Sequence, residues 1–199
     1  MDYDAWLVDL DGTLYRGRPL RVLMAVELLV HGWAVVNPLR VFRRHHELLR
    51  AENYDGPLAP YEEQVDRAAR ELGCPPAQLR AIVERWMIHR PTRWIRVFRR
   101  RQLLRELRAF RSAGGKLALV SDYPARAKLE ALCAGDLFDC VVANGEPGGA
   151  ARLKPHPSGF LAAAAALSTP PERCLVVGDR DDADGAAARA AGMAFRRVS

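Results

Sequence analysis

Four short apolar runs, each followed by a polar residue, constrain the fold of this chain most strongly. The runs cover residues 5–8, 117–120, 140–143 and 174–177, and the polar residues after them are Asp9, Ser121, Asn144 and, beyond Gly178, Asp179. A run of this kind is typical of a strand buried on both faces of a sheet. Because helical patterns separate the last three runs, the sequence predicts an α/β fold: a three-layer, Rossmann-like core with a parallel sheet, right-handed crossovers and helices on both faces.

The long interval between the first two runs carries no strand pattern. Apolar residues recur at helical spacing in residues 20–31, 38–51, 62–72 and 76–89, and a basic amphipathic helix is predicted over residues 99–112. Pro91 is expected to stop the fourth of these helices. The sequence therefore predicts two parts, a core formed by residues 1–15 and 98–199 and a small all-helical cap, residues 16–97, inserted after the first strand.

Two carboxylates follow the first strand directly. Residues two apart in an extended chain point to the same side, so Asp9 and Asp11 are expected to leave the strand together, with Gly12 allowing a turn beyond them. Two carboxylates so close require a cation between them, or a proton on one of them. The pair suits a nucleophile beside a proton donor at a metal ion; a polar turn without chemistry is the alternative for this pattern alone.

Charge is distributed unevenly along the 199 residues, whose net charge is +6. Residues 16–111 contain 20 arginines, no lysine and 10 acidic residues, so this part carries +10 and the remainder carries −4. Clustered arginines fit small phosphorylated ligands, an anionic membrane surface or nucleic acid, and they also occur on solvated helix surfaces. Because residues 28–44 mix Trp33 and valines with arginines, contact with a membrane surface is an alternative function of this segment.

The sequence favours a cytoplasmic location. The first residues include no basic segment of a secretory signal, and Glu27 and His31 interrupt the longest apolar stretch. The four cysteines show neither C-x-x-C nor zinc-type spacing, which fits a reducing compartment. With 49% apolar residues, the chain is also not expected to be disordered.

The polar residues at the strand ends resemble, in their order and context, the four motifs of the haloacid dehalogenase-like superfamily. The matching segments are Asp9-Leu10-Asp11-Gly12-Thr13, Ser121, Lys154-Pro155 and Gly178-Asp179-Arg180-Asp181-Asp182-Ala183-Asp184. The resemblance covers residues 1–15 and about 98–199. The helical interval occupies the place where phosphoglycolate phosphatase-like members of that superfamily carry a cap.

This resemblance implies a role for each motif residue. Asp9 would attack phosphorus and form an aspartyl-phosphate, and Asp11 would protonate the leaving oxygen and later deprotonate water. Ser121 and the backbone N–H of Asp122 would hold the phosphoryl oxygens, while Lys154 would offset their charge. The implied substrate is a small phosphorylated metabolite.

The resemblance also implies a Mg²⁺ site. Mg²⁺ takes hard oxygen ligands and usually one or two carboxylates, which the side chain of Asp9, the backbone carbonyl of Asp11 and Asp179 would supply. Asp184 is the expected second acid of the last motif, and Asp182 is an open alternative to it. Asp181 would be an ordinary acid in the first turn of a helix.

Three residues near these motifs are harder to assign. The superfamily more often has asparagine where Asp122 stands, so this residue is expected to pair with a cap arginine or to turn outward. His45 and His46 have no acidic partner at ligand spacing, so both are expected on the surface rather than at a ligand site.

A Mg²⁺-dependent phosphatase acting on a small phosphate monoester is therefore the leading prediction. A phosphomutase or phosphotransferase would share the first half-reaction, and a dehalogenase is disfavoured because Asp11 suits an oxygen leaving group. A different class, a basic nucleic-acid or membrane-surface binding module on an inactive core, is less expected because every catalytic residue type is present. Arg90, Arg93 and Arg96 are the cap arginines expected to bind substrate. The oligomeric state stays open.

Overall fold

The computed structural model describes residues 3–198 and contains a five-stranded parallel sheet. The strands are β1 (Ala5–Val8), β2 (Lys116–Ser121), β3 (Cys140–Ala143), β4 (Cys174–Gly178) and β5 (Ala194–Arg197). They lie in the order β3-β2-β1-β4-β5, and every neighbouring pair is parallel. The α/β fold with a parallel sheet is confirmed.

The strand order reverses at β1, which lies in the middle of the sheet. Val8 is in register with Leu119 of β2 on one side and with Val177 of β4 on the other. Ligands of open parallel sheets bind beyond the carboxyl ends of the strands at such a reversal. Asp9, the residue after β1, therefore stands at the point where this fold offers a binding crevice.

Helices cover the sheet and fill the interval after β1. Those between β1 and β2 are α1 (Gly17–His31), α2 (Val36–Ala51), α3 (Pro60–Leu72), α4 (Pro76–Val83), α5 (Arg90–Phe98) and α6 (Arg101–Ser112). Those after β2 are α7 (Arg126–Ala131), α8 (Ser158–Ala166) and α9 (Ala186–Ala190). The helical interval is confirmed, and its division from the core at residues 16 and 97 stays a prediction.

The prediction that Pro91 stops a helix is wrong. The chain passes from α4 through a π-helical segment, Glu84–His89, into α5, and Pro91 lies in the first turn of that helix. The proline thus lies inside a continuous helical stretch, directly after the π-helical segment, and such a local irregularity is where a helix accommodates a residue without an N–H. The turn that ends this helical stretch comes at Arg99, so the basic helix α6 begins at Arg101 rather than at residue 99.

The two connections between the sheet and the helical interval run side by side. Tyr15 and Arg99 form an isolated antiparallel bridge. The Arg16 N–H donates to the carbonyl of Phe98, and the Arg100 N–H donates to the carbonyl of Leu14, each at 2.9 Å. The chain thus leaves and re-enters the sheet layer at one place, close to the end of β1.

Buried side chains form three clusters. One fills the space between the sheet and α6 and α7, with Val8, Leu107 and Leu119 at its centre. The second lies on the other face of the sheet around Phe160, and the third lies within the helical interval around Phe42. Alternate strand residues supply the two faces, so each half of the three-layer core has its own apolar filling.

A helix that spans a membrane must be both long and apolar. Among residues 3–198, no single helix meets both requirements. α1 and the following segment, Trp33–Ala51, meet them only when taken together, and the pair is bent by 113°.

Candidate active site

The carboxyl end of β1 holds a buried ion pair between Asp9 and Lys154. Lys154 lies in the loop before α8, and its Nζ donates to Asp9 Oδ1 at 2.5 Å and to Asp184 Oδ1 at 2.7 Å. Asp9 Oδ2 accepts a hydrogen bond from Thr13 Oγ1 at 2.9 Å. Asp9, Lys154 and Asp184 are all less than 10% exposed. Three sequence motifs therefore meet at one buried point.

Burial and charge act against each other in this group. Burial and the carboxylate of Asp184 raise the pKa of Asp9 to about 8, although Lys154 opposes the shift. Burial alone would lower the pKa of Lys154, but Asp184 and Asp9 together hold it above its ordinary value. Lys154 is thus a cation at neutral pH, and additional positive charge would favour the ionised form of Asp9.

Asp179 joins Asp9 and Asp184 in a group of three carboxylates. One oxygen from each lies within 4.8 Å of the others. Burial, followed by the charge of Asp184, raises the pKa of Asp179 above its ordinary value. Three carboxylates with one ammonium group carry excess negative charge, and their donors are the hard oxygens that Mg²⁺ prefers. The side chains present therefore fit a divalent cation.

Two glycines make room for these carboxylates. A Cβ on Gly12 would lie 2.2 Å from Asp179 Oδ2, and the backbone of Gly12 has φ +99°, a conformation that favours glycine. A Cβ on Gly178 would lie 2.5 Å from the side chain of Asp184. The close approach of the β1 and β4 ends depends on both positions lacking a side chain.

Asp184 is the acid of the last motif that points into the group. It is 2% exposed, and its Oδ2 accepts a hydrogen bond from the Arg180 N–H at 3.2 Å. Asp182 is exposed and pairs with Arg180, and Asp181 is exposed and pairs with Arg189. The geometry therefore favours Asp184 over the alternative, Asp182.

Asp11 is held apart from the other acids by a second buried lysine. Lys128 Nζ, on α7, donates to Asp11 Oδ1 at 2.6 Å and to Oδ2 at 2.8 Å. The hydroxyl of Tyr15 also donates to Asp11 Oδ1. Burial would raise the pKa of Asp11, but Lys128 and the Tyr15 hydrogen bond outweigh it and keep this pKa below the ordinary value.

Sequence reasoning missed Lys128, although the pattern contains a signal. The buried residues of this helical stretch are Ala125, Lys128, Leu129 and Leu132, which follow the i, i+3, i+4, i+7 spacing of a core-facing side. A lysine at a core-facing position needs a buried partner. Nothing in the sequence indicates that the partner is Asp11, which is 117 residues away.

Ser121 and Asp122 lie at the end of the neighbouring strand, β2. Ser121 is buried, and its Oγ accepts a hydrogen bond from the Tyr123 N–H at 3.2 Å. Asp122 Oδ1 accepts a hydrogen bond from the Lys154 N–H at 3.2 Å, and its Oδ2 lies 3.9 Å from His46 Nε2. Asp122 therefore neither pairs with a cap arginine nor turns outward, because the loop of Lys154 takes one of its oxygens.

The prediction that His46 is a surface residue is wrong, whereas His45 is partly exposed. His46 is 6% exposed, stacks on Tyr123 with 4.7 Å between the ring centroids, and its Nδ1 lies 3.2 Å from Gln64 Oε1. Burial lowers the pKa of His46. His45 Nε2 lies 2.9 Å from Glu71 Oε2. Their partners come from α3 and the β2 loop, which local spacing does not reveal.

Two arginine side chains link the helical interval to the Lys154 loop, one by a hydrogen bond and one by an ion pair. Arg50 Nε, on α2, donates to the Lys154 carbonyl at 2.7 Å, and Arg152 pairs with Asp55. Arg90, an expected substrate ligand, pairs with Glu27 at 3.0 Å and lies over the Trp86 ring, and its role in substrate binding stays a prediction. A role of the exposed Arg93 and Arg96 in substrate binding stays a prediction.

Asn144, the polar residue after β3, is placed differently from the other strand-end residues. It is 1% exposed, and its backbone N–H donates to the Ser121 carbonyl at 3.0 Å. Among residues 3–198, no group hydrogen-bonds to either atom of its side-chain amide. The residue lies beside the β2 end without joining the carboxylate group.

Comparison with known families assigns this α/β fold and its group of carboxylates to a class of hydrolases. The sequence model of the haloacid dehalogenase-like hydrolases matches residues 3–192. The chain belongs to the haloacid dehalogenase-like hydrolase family. A comparison with curated proteins finds no match.

Solved structures similar to this chain include a phosphomutase, a dehalogenase and a phosphatase. β-Phosphoglucomutase from Clostridium difficile is 19% identical, with a TM-score of 0.65 over 99% of this chain and 85% of that one. L-2-haloacid dehalogenase from Xanthobacter autotrophicus, with chloropropionic acid covalently bound, is 17% identical, with a TM-score of 0.67 over 98% and 77%. A phosphatase of the same superfamily from Thermococcus onnurineus is 19% identical, with a TM-score of 0.59 over 98% and 86%. At these identities the similarity shows the fold.

Proposed function

We propose that this hydrolase is a Mg²⁺-dependent phosphatase that cleaves a small phosphate monoester through an aspartyl-phosphate on Asp9. The observation that carries the proposal is the group of Asp9, Asp179 and Asp184 beside Lys154, with Asp9 and Asp184 buried and Asp11 two residues beyond Asp9. Buried, mutually close carboxylates are costly to stability unless they bind a cation or substrate. The cluster therefore supports a bound divalent cation, whose positive charge would in turn favour a phosphate substrate.

In the proposed first step, a carboxylate oxygen of Asp9 attacks phosphorus. The new O–P bond forms as the bond to the leaving oxygen breaks, and that oxygen takes a proton from the carboxyl group of Asp11. In the second step, water attacks the phosphorus of the aspartyl-phosphate and gives its proton to Asp11. This step releases inorganic phosphate and regenerates the carboxylate of Asp9.

The surrounding groups bind and neutralise the phosphoryl group. Ser121 Oγ and the Asp122 N–H are the proposed donors to its oxygens, and Lys154 offsets their negative charge. Asp9, the carbonyl of Asp11 and Asp179 would hold Mg²⁺, with Asp184 supporting the site. When bound, this ion supplies positive charge that favours ionised Asp9 and a phosphate ligand.

Asp11 distinguishes the proposed phosphatase from a dehalogenase. A halide leaves without a proton, whereas an alkoxide leaving group requires an acid near it. A carboxyl group two residues after the nucleophile meets that requirement. A phosphomutase would use the same first step and transfer the phosphoryl group to a second hydroxyl instead of to water.

Activity screening tests the proposal and separates these outcomes. The purified chain is assayed against a panel of phosphorylated metabolites with Mg²⁺ and with a chelator, and inorganic phosphate and sugar-phosphate isomers are both quantified. Phosphate release that requires Mg²⁺ supports a phosphatase, and isomer formation without phosphate release supports a mutase. Halide release from 2-haloacids without any phosphate release contradicts the proposal.

A second candidate function, contact with an anionic membrane surface, is favoured by the outer face of α1. Four apolar side chains of this helix are each more than half exposed, Val22, Val26, Leu29 and Val30, and so is Trp33 in the short helical turn after it. Glu27 is the single acidic residue in positions 16–46, and Arg90 and Trp94 hold its carboxylate. Among residues 3–198, exposed Arg18 and Arg21 of this helix have no ion-pair partner. An apolar stripe with arginines and no free acid complements anionic lipid.

Vesicle sedimentation tests this second function. Binding to vesicles containing phosphatidylserine, but not to vesicles of phosphatidylcholine alone, is expected, and it should weaken at high salt. Trp33→Ala with Val30→Ser should reduce binding, whereas Leu161→Ser, at an exposed position on α8, should not. Self-association of the chain without vesicle binding would instead identify the stripe as a contact between two copies.

A further inference from the structure

We propose that Arg50 is a positioning residue that holds the backbone of Lys154, so that the ammonium group of this lysine stays beside Asp9. The inference rests on the proposed phosphatase function, in which Lys154 offsets the charge of the phosphoryl group. Arg50 lies on α2, in the helical interval and outside all four motifs. Its side chain is only 8% exposed, because it extends from α2 to the loop of Lys154 rather than into solvent.

The backbone of Lys154 is held on both sides of its side chain. Arg50 Nε donates to the Lys154 carbonyl at 2.7 Å, and the Lys154 N–H donates to Asp122 Oδ1 at 3.2 Å. Hydrogen bonds with a charged partner are stronger than bonds between neutral groups. One peptide group is therefore fixed by the helical interval and the other by the residue that follows Ser121.

The side chain of Lys154 shows why its backbone position matters. Its Nζ donates to Asp9 Oδ1 at 2.5 Å, to Asp184 Oδ1 at 2.7 Å and to the Val120 carbonyl at 3.3 Å. The ammonium group lies at the end of a flexible four-carbon stem, so its place among these acceptors depends on where the backbone is held. A displacement of about 1 Å in such a group can lower a reaction rate about 100-fold.

Arg50 can hold the loop because its own helix is fixed. Gln64 of α3 is 1% exposed and joins α3 to α2: its Nε2 donates to the Phe42 carbonyl at 2.9 Å, and its Oε1 lies 3.2 Å from His46 Nδ1. Glu47 accepts hydrogen bonds from Arg50 Nη1 at 3.1 Å and 3.3 Å. The guanidinium group is therefore carried by packed helices and oriented from its other edge, as precise support of a functional side chain requires.

A positioning role and a purely electrostatic role of Arg50 predict different results for two substitutions. Arg50→Gln keeps an N–H donor at the same number of bonds from Cα as Nε of arginine, but it removes the positive charge. Arg50→Lys keeps the charge. If Arg50 acts by its hydrogen bond to the Lys154 carbonyl, Arg50→Gln should retain activity. If it only attracts an anionic substrate, Arg50→Gln should lose activity and Arg50→Lys should retain it.

The experiment compares wild type with Arg50→Met, which has neither donor nor charge, with Arg50→Gln and Arg50→Lys, and with Arg67→Met as a matched control. Arg67 Nε, on α3, also donates at 2.7 Å, but to Glu63 of its own helix. Two quantities are measured: hydrolysis of p-nitrophenyl phosphate with Mg²⁺, and hydrogen–deuterium exchange of peptides covering residues 150–158 without substrate.

We expect Arg50→Met to lower kcat about ten- to a hundredfold and to change KM less than about twofold, because it acts on the transition state through Lys154. The same variant should take up deuterium faster in residues 150–158, since the loop opens more often when its support is lost. Arg50→Gln and Arg67→Met should resemble the wild type in both measurements.

Unchanged deuterium uptake in Arg50→Met, or an equal increase in Arg67→Met, would overturn the inference. Loss of kcat in Arg50→Gln while Arg50→Lys keeps the wild-type value would overturn it as well, and this comparison decides alone if Arg50→Met does not fold. A wild-type chain that hydrolyses no phosphate ester with Mg²⁺ would refute the proposed function, whereas deuterium uptake would still show whether Arg50 holds the Lys154 segment.

Discussion

At the scale of single residues, the site is held together by groups that would each be unfavourable alone. Lys154 lies between Asp9 and Asp184, while Lys128 bridges Asp11, so two buried cations serve two separate parts of the acidic site. This separation gives the two acids of the first motif opposite pKa shifts, upward for Asp9 and downward for Asp11. These shifts are the reverse of those that an ionised nucleophile and a protonated acid need, so the proposed roles depend on positive charge added near Asp9.

Gly12→Ala should damage the carboxylate group without unfolding the chain. The added Cβ would lie 2.2 Å from Asp179 Oδ2 and would force this side chain away. We expect the Mg²⁺ concentration for half-maximal activity to rise about ten- to a hundredfold, as when the support of a metal ligand is lost. Gly148→Ala is the control, since Gly148 also has a positive φ, +80°, but nothing within 4 Å of its Cβ position. An equal effect of both variants would point to backbone strain alone.

His46 should make stability depend on pH. Its pKa is lowered in the folded chain by burial, opposed by Asp122, Gln64 and Glu47 and assisted by Arg50, so the unfolded chain binds a proton at higher pH than the folded one. Stability is therefore full above the ordinary pKa of 6.5 and declines as pH falls from there toward the folded value. The decline amounts to at most about 1.4 kcal/mol for each unit between the two pKa values.

Urea unfolding between pH 8 and pH 5 measures this dependence. His46→Gln, which cannot take up a proton there, should lose less stability over the same range than the wild type. His156, whose pKa is also lowered, remains in both proteins and contributes equally. Parallel pH curves for the two proteins would contradict the assignment.

At the scale of elements, the backbone of the loop between β4 and α9 determines which of its four acidic side chains join the carboxylate group and which lie on the surface. Asp179 ends the strand and Asp184 turns inward, whereas Asp181 and Asp182 form exposed ion pairs with Arg189 and Arg180. The π-helical segment Asp181–Gly185 makes this arrangement possible by placing Asp184 under the strand end. Such helical irregularities are frequent at functional sites.

Replacing single acids of this loop should therefore have unequal effects. Asp179→Ala should weaken Mg²⁺ binding, followed by calorimetry or by protection against thermal unfolding, at least about tenfold. Asp181→Ala should leave both Mg²⁺ affinity and stability nearly unchanged, because it removes only an exposed ion pair. Comparable losses of affinity in the two variants would show that the roles of these acids are misassigned.

The secondary-structure elements also show which features of the fold the sequence predicts and which it does not. The four apolar runs predict β1 to β4 and the residues at their ends, because burial on both faces and parallel pairing leave a local pattern. The sequence shows no such pattern for the helix that continues through Pro91, because this continuation depends on the π-helical segment before it. It shows none for the burial of His46 either, because that burial depends on packing against α3 and the β2 loop. The Lys128–Asp11 pair is likewise invisible locally, because it joins residues 117 positions apart.

At the scale of the whole molecule, the arginine-rich helical interval meets the acidic end of the sheet. Arg50 binds the Lys154 carbonyl and Arg152 pairs with Asp55, so contacts between the two parts lie beside the proposed reaction centre. A site that such contacts enclose would exclude water, which strengthens the electrostatic effect of each charge. The molecule thus combines the proposed reaction centre at the sheet end with an exposed apolar surface on α1.

The central claim is that Asp9 carries the phosphoryl group during turnover. Rapid mixing with substrate and Mg²⁺, acid quenching and mass spectrometry of proteolytic peptides test it directly. We predict that the peptide containing Asp9 gains the mass of one phosphoryl group, that fragmentation places this group on Asp9 rather than Asp11, and that Asp9→Asn, although folded, neither gains the mass nor turns over substrate. Turnover by Asp9→Asn near the wild-type rate, or a phosphoryl group on another residue, would contradict the account.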